Sequence, residues 1–307
     1  MVKVIHEGFA ICTGCEVAIL DIGEALLDIL PALDFEHIQV LMDNKYYGSL
    51  GDKEHMDLPA ADVGIISGGV RTEEMKELAL IMRKKVKTLI SLGSCACFGG
   101  IPALANMSTR EELLKTVYST KGTDKAEAPS QGIPKLLDRI YAVEEVIKVD
   151  VAIPGCPPVP DVIAEALTAL LQGKPWALPE KSVCDDCPTK REKKSGVPIK
   201  RPYEAPAFDT TKGPEGMRCL NEQGILCLGP ATKTGCRGHS DSPRCISAFM
   251  PCRGCFGPIR KGAKPMVDMM GALSSIGLDA KQIEDRMALF NRYIGANNNL
   301  RVLPKKK

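Results

Sequence analysis

Two thiols on one tight turn, Cys12-Thr13-Gly14-Cys15, make half a metal site directly before a helical segment, with Gly14 giving the backbone room to bend. The other half must come from elsewhere, and the remaining cysteines of the first half of the chain are Cys95, Cys97 and Cys156. Each lies where an apolar run gives way to a loop, in LISLGSCACFGG and in VAIPGCPP. A fold that brings these loops together puts a four-thiolate cage at one edge of a sheet.

The chain around this turn has 307 residues, of which 44% are apolar, enough for one sizeable core and a smaller second one. Forty basic against 38 acidic residues leave a net charge of +2, so no global field points to nucleic acid. The opening MVKVIHEGFAICTGCE shows no basic segment ahead of an apolar one and no twin arginine, and no apolar run reaches the roughly 18 residues of a membrane span. The expectation is a soluble, cytoplasmic protein without a membrane or nucleic-acid partner.

Thirteen cysteines in a protein of that compartment do not read as disulfides. Zinc and iron–sulfur sites are the two alternatives. Only four histidines are present, His6, His37, His55 and His239, none at zinc-finger spacing. Prolines follow Cys156 and Cys187, a habit shared with iron–sulfur sites.

In chain order, VKVI (2–5) reads as a buried strand, and 17–30 as an amphipathic helix stopped by Pro31. Strands follow at 37–43 and 61–69, then a helix started by Thr72 and ended by Arg83-Lys84-Lys85. TLISLG (88–93) is a fourth strand. Ser108 and Glu111 predict a capping box for a helix to about Val117, and 119–133 reads as loop. A fifth strand at 146–155 leads to a helix from Asp161 to Gln172. This alternation predicts an open parallel α/β sheet with functional groups beyond the carboxyl ends of its strands. Gly68-Gly69 precedes a helix, but neither a dinucleotide fingerprint nor a P-loop is present, so no nucleotide site is expected.

After Trp176 the character changes. Residues 177–260 are rich in Pro, Gly, Lys and Cys, with no long periodic stretch, so their order should come largely from their cysteine sites. Helices at 266–276 and 279–294 close the chain, with a solvated Pro304-Lys-Lys-Lys tail. The two domains are then 1–176 and 177–307. The second holds eight cysteines that split in sequence order into Cys184, Cys187, Cys219, Cys227 and Cys236, Cys245, Cys252, Cys255. Three four-thiolate sets in one chain read as a row of electron carriers. The reading from another class is a zinc-stabilised interaction protein.

CTGCE, GSCACFGG and PGCPP followed by a helix, with the eight later cysteines, resemble the small subunit of nickel–iron hydrogenases over nearly the whole chain. The resemblance implies a flavodoxin-like parallel-sheet domain followed by an irregular, cluster-stabilised domain. It also implies three 4Fe–4S clusters that relay electrons from a nickel–iron centre in a partner large subunit. On it, Cys12, Cys15, Cys95 and Cys156 match the proximal ligands, and Cys97 falls where the family usually has a non-ligand. Cys184 stands where many members place a histidine, and with Cys187, Cys219 and Cys227 it matches the distal site. Cys236, Cys252 and Cys255 match the medial site, with Cys245 near a position that is often proline where that cluster has three irons. Gly14 and Gly100 stand at the places of the extra cysteines of oxygen-tolerant members, so no modified proximal cluster is expected.

The all-cysteine pattern looks most like the F(420)-non-reducing hydrogenases of methanogens, with the deazaflavin-reducing type as the rival. Further implied partners are a ferredoxin-like or 2Fe–2S delta-type subunit and heterodisulfide reductase. A complex I-like cluster subunit would share the first domain but would not carry eight further cysteines. Glu16 is expected as an acidic first-turn residue or a proton or interface group. The basic run Lys190, Arg191, Lys193, Lys194, Lys200, Arg201 is expected as a solvated loop or a dock for an acidic redox partner.

Overall fold

The computed structural model describes residues 1–39, 42, 47–48, 51, 53–123, 127–200, 207–209 and 211–302. β1 (Val2–Gly8) is buried along most of its length, as a central parallel strand must be. α1 (Gly14–Leu20) and α2 (Glu24–Ile29) replace the single helix expected over 17–30. The apolar face continues through both, but Gly23 adopts φ 69° and ends the first helix. β2 (Leu33–Ile38) lies earlier than the strand expected at 37–43; Val40, Leu41 and Asp43 of that stretch lie outside the described residues.

β3 (Ala61–Ser67) runs into a short β4 (Val70–Thr72), which the sequence does not set apart. α3 (Glu73–Lys85) starts as expected, with Thr72 Oγ1 accepting from the Met75 N–H at 3.1 Å. β5 (Val86–Leu92) leads into α4 (Gly93–Phe98), and α5 (Arg110–Tyr118) follows. The capping box of α5 is Thr109 with Glu112, one residue later than expected. Ser108-Thr109 and Glu111-Glu112 offer the same motif in two registers, and the backbone takes the second. β6 (Leu136–Tyr141) pairs antiparallel with β4, an addition to the expected strands. The fifth expected strand shrinks to β7 (Val151–Ile153), because the turn that begins with the 3-10 helix at 143–145 runs on to Ile147, whose N–H donates to the Val143 carbonyl at 3.0 Å. α6 (Pro160–Leu171) matches its expectation to within a residue.

The main sheet has the order β2-β1-β3-β5-β7 with every pairing parallel. Counted along the sheet strands alone this is 2-1-3-4-5, the flavodoxin-like order. Alternate side chains feed two cores: Val4, Ile65 and Ile90 face α1, α2 and α6, while Ile5, Ile66 and Leu89 face α3. Among the described residues no helix is long and apolar enough to cross a membrane.

Beyond α6 the backbone is irregular. α7 (Arg244–Ser247) is a single turn, α8 (Pro265–Ser275) is the one longer helix among the described residues, and α9 (Arg286–Phe290) is short. The helix expected over 279–294 is split, because Asp279 and Asp285 each accept backbone N–H groups and start separate turns. The irregular half nevertheless buries apolar clusters of its own, one built from Val183, Met217, Leu220, Ile225 and Ile246 around two cysteines. Phe256 reaches into the first core and is only 1% exposed, so the two halves share packing. Arg201 and the Pro304-Lys-Lys-Lys tail lie outside the described residues.

Candidate metal centres

The first cysteine set gathers beyond the carboxyl ends of β1, β5 and β7. Cys12 and Cys15 follow β1 at the point where the sheet order reverses, the place an open α/β sheet reserves for its functional group. The special backbone of this turn belongs to Thr13, at φ 63°, and not to Gly14, which opens α1. Cys95 lies in α4 directly after β5, and Cys156 follows β7. Their sulfurs sense one another. Burial, then Glu16, then the thiols of Cys95, Cys12 and Cys156 push the Cys15 thiol far up. Burial, followed by Cys156 and Cys12, pushes Cys95 up to about 12.

Glycines make the room. A Cβ on Gly93 would stand 2.4 Å from Cys15 Sγ, and one on Gly100 would stand 2.3 Å from Cys95 Sγ. Gly68-Gly69 is no phosphate cradle: Gly69 exchanges backbone hydrogen bonds with Ala10 at 3.1 and 3.3 Å and so holds the Cys12 loop to the end of β3. Cys97 points elsewhere. It is buried against β5, with its Sγ 3.3 Å from Ser91 Oγ and donating to the Ser91 carbonyl at 3.4 Å.

Glu16 is a first-turn residue of α1, as expected. It is fully buried, accepts a hydrogen bond from Ser67 Oγ, and lies 3.0 Å from His6 Nε2. Burial pulls its carboxyl up, but the bonds from His6 and Ser67 outweigh this and hold it below the usual range.

A second set, Cys184, Cys187, Cys219 and Cys227, lines one cavity of about 400 Å³ together with Arg191, Asn221 and Ile246. Cys184 sits in a 3-10 turn fixed by Asp185, whose carboxylate accepts from the Ser182 N–H at 2.7 Å and from its hydroxyl at 2.8 Å. Burial, then Cys227, Cys187 and Cys219, push its thiol up to about 12. Asn221 is a site residue that the cysteine pattern does not announce. It is buried, and its amide clamps the Cys227 backbone through two bonds of 2.9 Å. A polar residue two positions after Cys219 is the only signal the sequence offers.

The third set, Cys236, Cys245, Cys252 and Cys255, lies between the other two. Burial, then Cys245 and Cys236, push Cys255 up to about 12. Ser94, next to Cys95, donates its hydroxyl to the Cys255 carbonyl, which ties it to the first set. The Cys252 N–H donates to Cys227 Sγ at 3.2 Å, which ties it to the second. Nearby backbone N–H groups oppose the effect of burial on several of these thiols, among them those of Ile101 for Cys95, Gly229 for Cys227 and Arg244 for Cys236. Such donors favour the thiolate form, whereas burial alone would keep these thiols protonated.

Among the described residues, no three Cys, His, Asp or Glu side chains converge closely enough to grip a single metal ion. A cubane, with irons at separate corners, spaces its four thiolates more widely than one tetrahedral ion does. Four cysteines around one cavity, with the Cys252 N–H donating to Cys227 Sγ at 3.2 Å, fit an iron–sulfur cluster.

A family profile described as NADH ubiquinone oxidoreductase, 20 Kd subunit, matches residues 12–170, the sheet with the first cysteine set. A subunit of the vhu F(420)-non-reducing hydrogenase of Methanocaldococcus jannaschii is 40% identical over 92% of this chain and 91% of its own length. The iron-sulfur subunit of the F(420)-non-reducing hydrogenase of Archaeoglobus profundus is 32% identical over 87% of this chain and 86% of its own. A chain of the NAD+-reducing [NiFe]-hydrogenase in the H2-reduced state superposes with a TM-score of 0.51 at 29% identity, covering 58% of this chain and 95% of that one. With its sheet order, its cysteine sets and these relatives together, the chain belongs to the nickel–iron hydrogenase small-subunit family.

Proposed function

We propose that this chain is the electron-transfer small subunit of a cytoplasmic, F(420)-non-reducing nickel–iron hydrogenase. Electrons from H2 oxidation in the large subunit would pass through three 4Fe–4S clusters to a partner such as heterodisulfide reductase, by way of a ferredoxin-like or 2Fe–2S delta-type subunit. Cys12, Cys15, Cys95 and Cys156 would hold the proximal cluster. Cys236, Cys245, Cys252 and Cys255 would hold the medial one, and Cys184, Cys187, Cys219 and Cys227 the distal one. When bound, the clusters supply reversible one-electron carriers at potentials set by cluster type, charge and hydrogen bonds to sulfur. The chain supplies spacing, burial and N–H donors. In this reading 1–176 is the sheet domain and 177–307 the cluster domain.

The observation that carries the proposal is the end-to-end contact of the three sets, Ser94 Oγ–H to the Cys255 carbonyl and Cys252 N–H to Cys227 Sγ. Three structural zinc ions would have no need of such a row. The near-complete match to a subunit of the non-reducing type favours that type over the deazaflavin-reducing one. The test is optical. The complex purified without oxygen should be brown, and H2 alone should bleach it as fully as dithionite does. A colourless, folded, zinc-loaded protein would contradict the proposal.

A further inference from the structure

The segment 189–200 borders the Cys184–Cys227 cavity, which its Thr189 and Arg191 line, and carries Lys190, Arg191, Lys193, Lys194 and Lys200 against one acidic residue, Glu192. It is held in place. The Lys190 N–H donates to the Met217 carbonyl at 3.2 Å, and the Cys219 N–H donates to the Lys190 carbonyl at 2.8 Å, so the strap is stitched to a cysteine of the cavity. Buried Glu222 accepts from the N–H groups of Glu192 and Lys193 at 3.0 and 3.1 Å and pairs with Arg218. The Ser195 N–H donates to the Ile276 carbonyl at 2.7 Å, and the Lys200 N–H to that of Gly224 at 2.8 Å.

The backbone is thus fixed while the cations stay in water. Lys190, Arg191, Lys193 and Lys194 are exposed and form no ion pair among the described residues. The one acidic side chain of the strap is turned to Arg218, 3.8 Å away. A pinned run of unpaired cations is an unusual use of charge in a chain whose net charge is only +2. Arg191 lines the cavity itself, beside Cys219 and Asn221. Cys184, on the same cavity, is exposed.

We propose that the strap Lys190–Lys200 is a docking platform for an acidic electron-transfer protein, which it steers onto the outer end of the cysteine row. This rests on the relay reading above. Complementary charge raises the rate of encounter and sets orientation, and it is screened by salt. An acidic face laid on these lysines would put its redox group against the Cys184 side of the cavity, the end of the row farther from the sheet.

The test uses the loaded complex of this chain with its large subunit, and an acidic plant-type [2Fe–2S] ferredoxin as probe. Lys190→Glu, Lys193→Glu and Lys194→Glu together should weaken ferredoxin binding at about 20 mM salt by roughly tenfold or more. The gap should close by about 0.3 M salt, where the screening length has dropped well below 10 Å. H2-driven reduction of methyl viologen, a small dye that needs no protein dock, should be unchanged. Reversing Lys76, Lys84 and Lys115, exposed on α3 and α5, should leave ferredoxin binding as it was.

Undiminished ferredoxin binding in the strap variant, or equal loss in the α3 and α5 variant, overturns the platform. Binding of duplex DNA or of phosphatidylglycerol vesicles to the strap as tight as that of ferredoxin also overturns it. A wild-type complex that fails to reduce methyl viologen under H2 overturns the relay reading and the platform with it.

Discussion

Glu16 sits beside Cys15 with no exposed surface, and its neighbours His6 and Ser67 are as deeply buried. Removing its carboxylate would leave those groups without their shared partner. Glu16→Ala should therefore destabilise the protein by about 1–3 kcal/mol, while Glu16→Gln, which keeps an acceptor, should cost less. Thermal unfolding of the two variants checks this, and equal stabilities would contradict it. A buried negative charge at this distance also makes an added electron less welcome, so Glu16→Gln should raise the potential of the proximal cluster in a redox titration. Cys95 and Cys97 are not separable by spacing, since both follow the same strand in the same loop. What divides them is direction: Cys95 faces the other thiols and Cys97 faces Ser91. Cys95→Ser should lose the proximal cluster and Cys97→Ser should keep it, read by iron content; the reverse pattern would overturn the assignment.

Among the elements, β1, β3, β5, α3 and α6 are legible because an apolar period and a clear cap or breaker agree. The pair β4 and β6 is not. Each is short, and their pairing joins residues about seventy positions apart, which no local pattern announces. The split of the expected helices is hidden for the opposite reason: the apolar face persists while Gly23 and Asp285 break the backbone beneath it. The irregular half is legible only through its cysteines. Asn221, which fixes Cys227, cannot be distinguished by sequence from an ordinary loop residue. α7 offers a prediction at this scale. Cys245 is its second residue, where proline loses no intrahelical hydrogen bond. Cys245→Pro should therefore fold and yield a three-iron medial cluster, seen as a new oxidised-state EPR signal. Full iron content without that signal would show that Cys245 is not a ligand.

At the scale of the molecule, the three cysteine sets run from the reversal point of the sheet, through the shared packing of Phe256, to the basic strap. The first end is open as well: Cys12 and Cys156 are exposed, and Val17 and Leu20 stand about half exposed on α1 nearby. An apolar surface around the proposed proximal site suits a permanent partner. The chain produced without its large subunit should aggregate, and size-exclusion of a stable lone monomer would count against that role. The most direct measurement is of iron and acid-labile sulfide per copy of this chain in the anaerobic two-subunit complex with its large subunit, free of any further iron–sulfur subunit and beyond the iron of the nickel–iron centre. Three cubanes predict about 12 of each, three times four; a folded complex with about four of each, or with zinc in place of iron, would contradict the account.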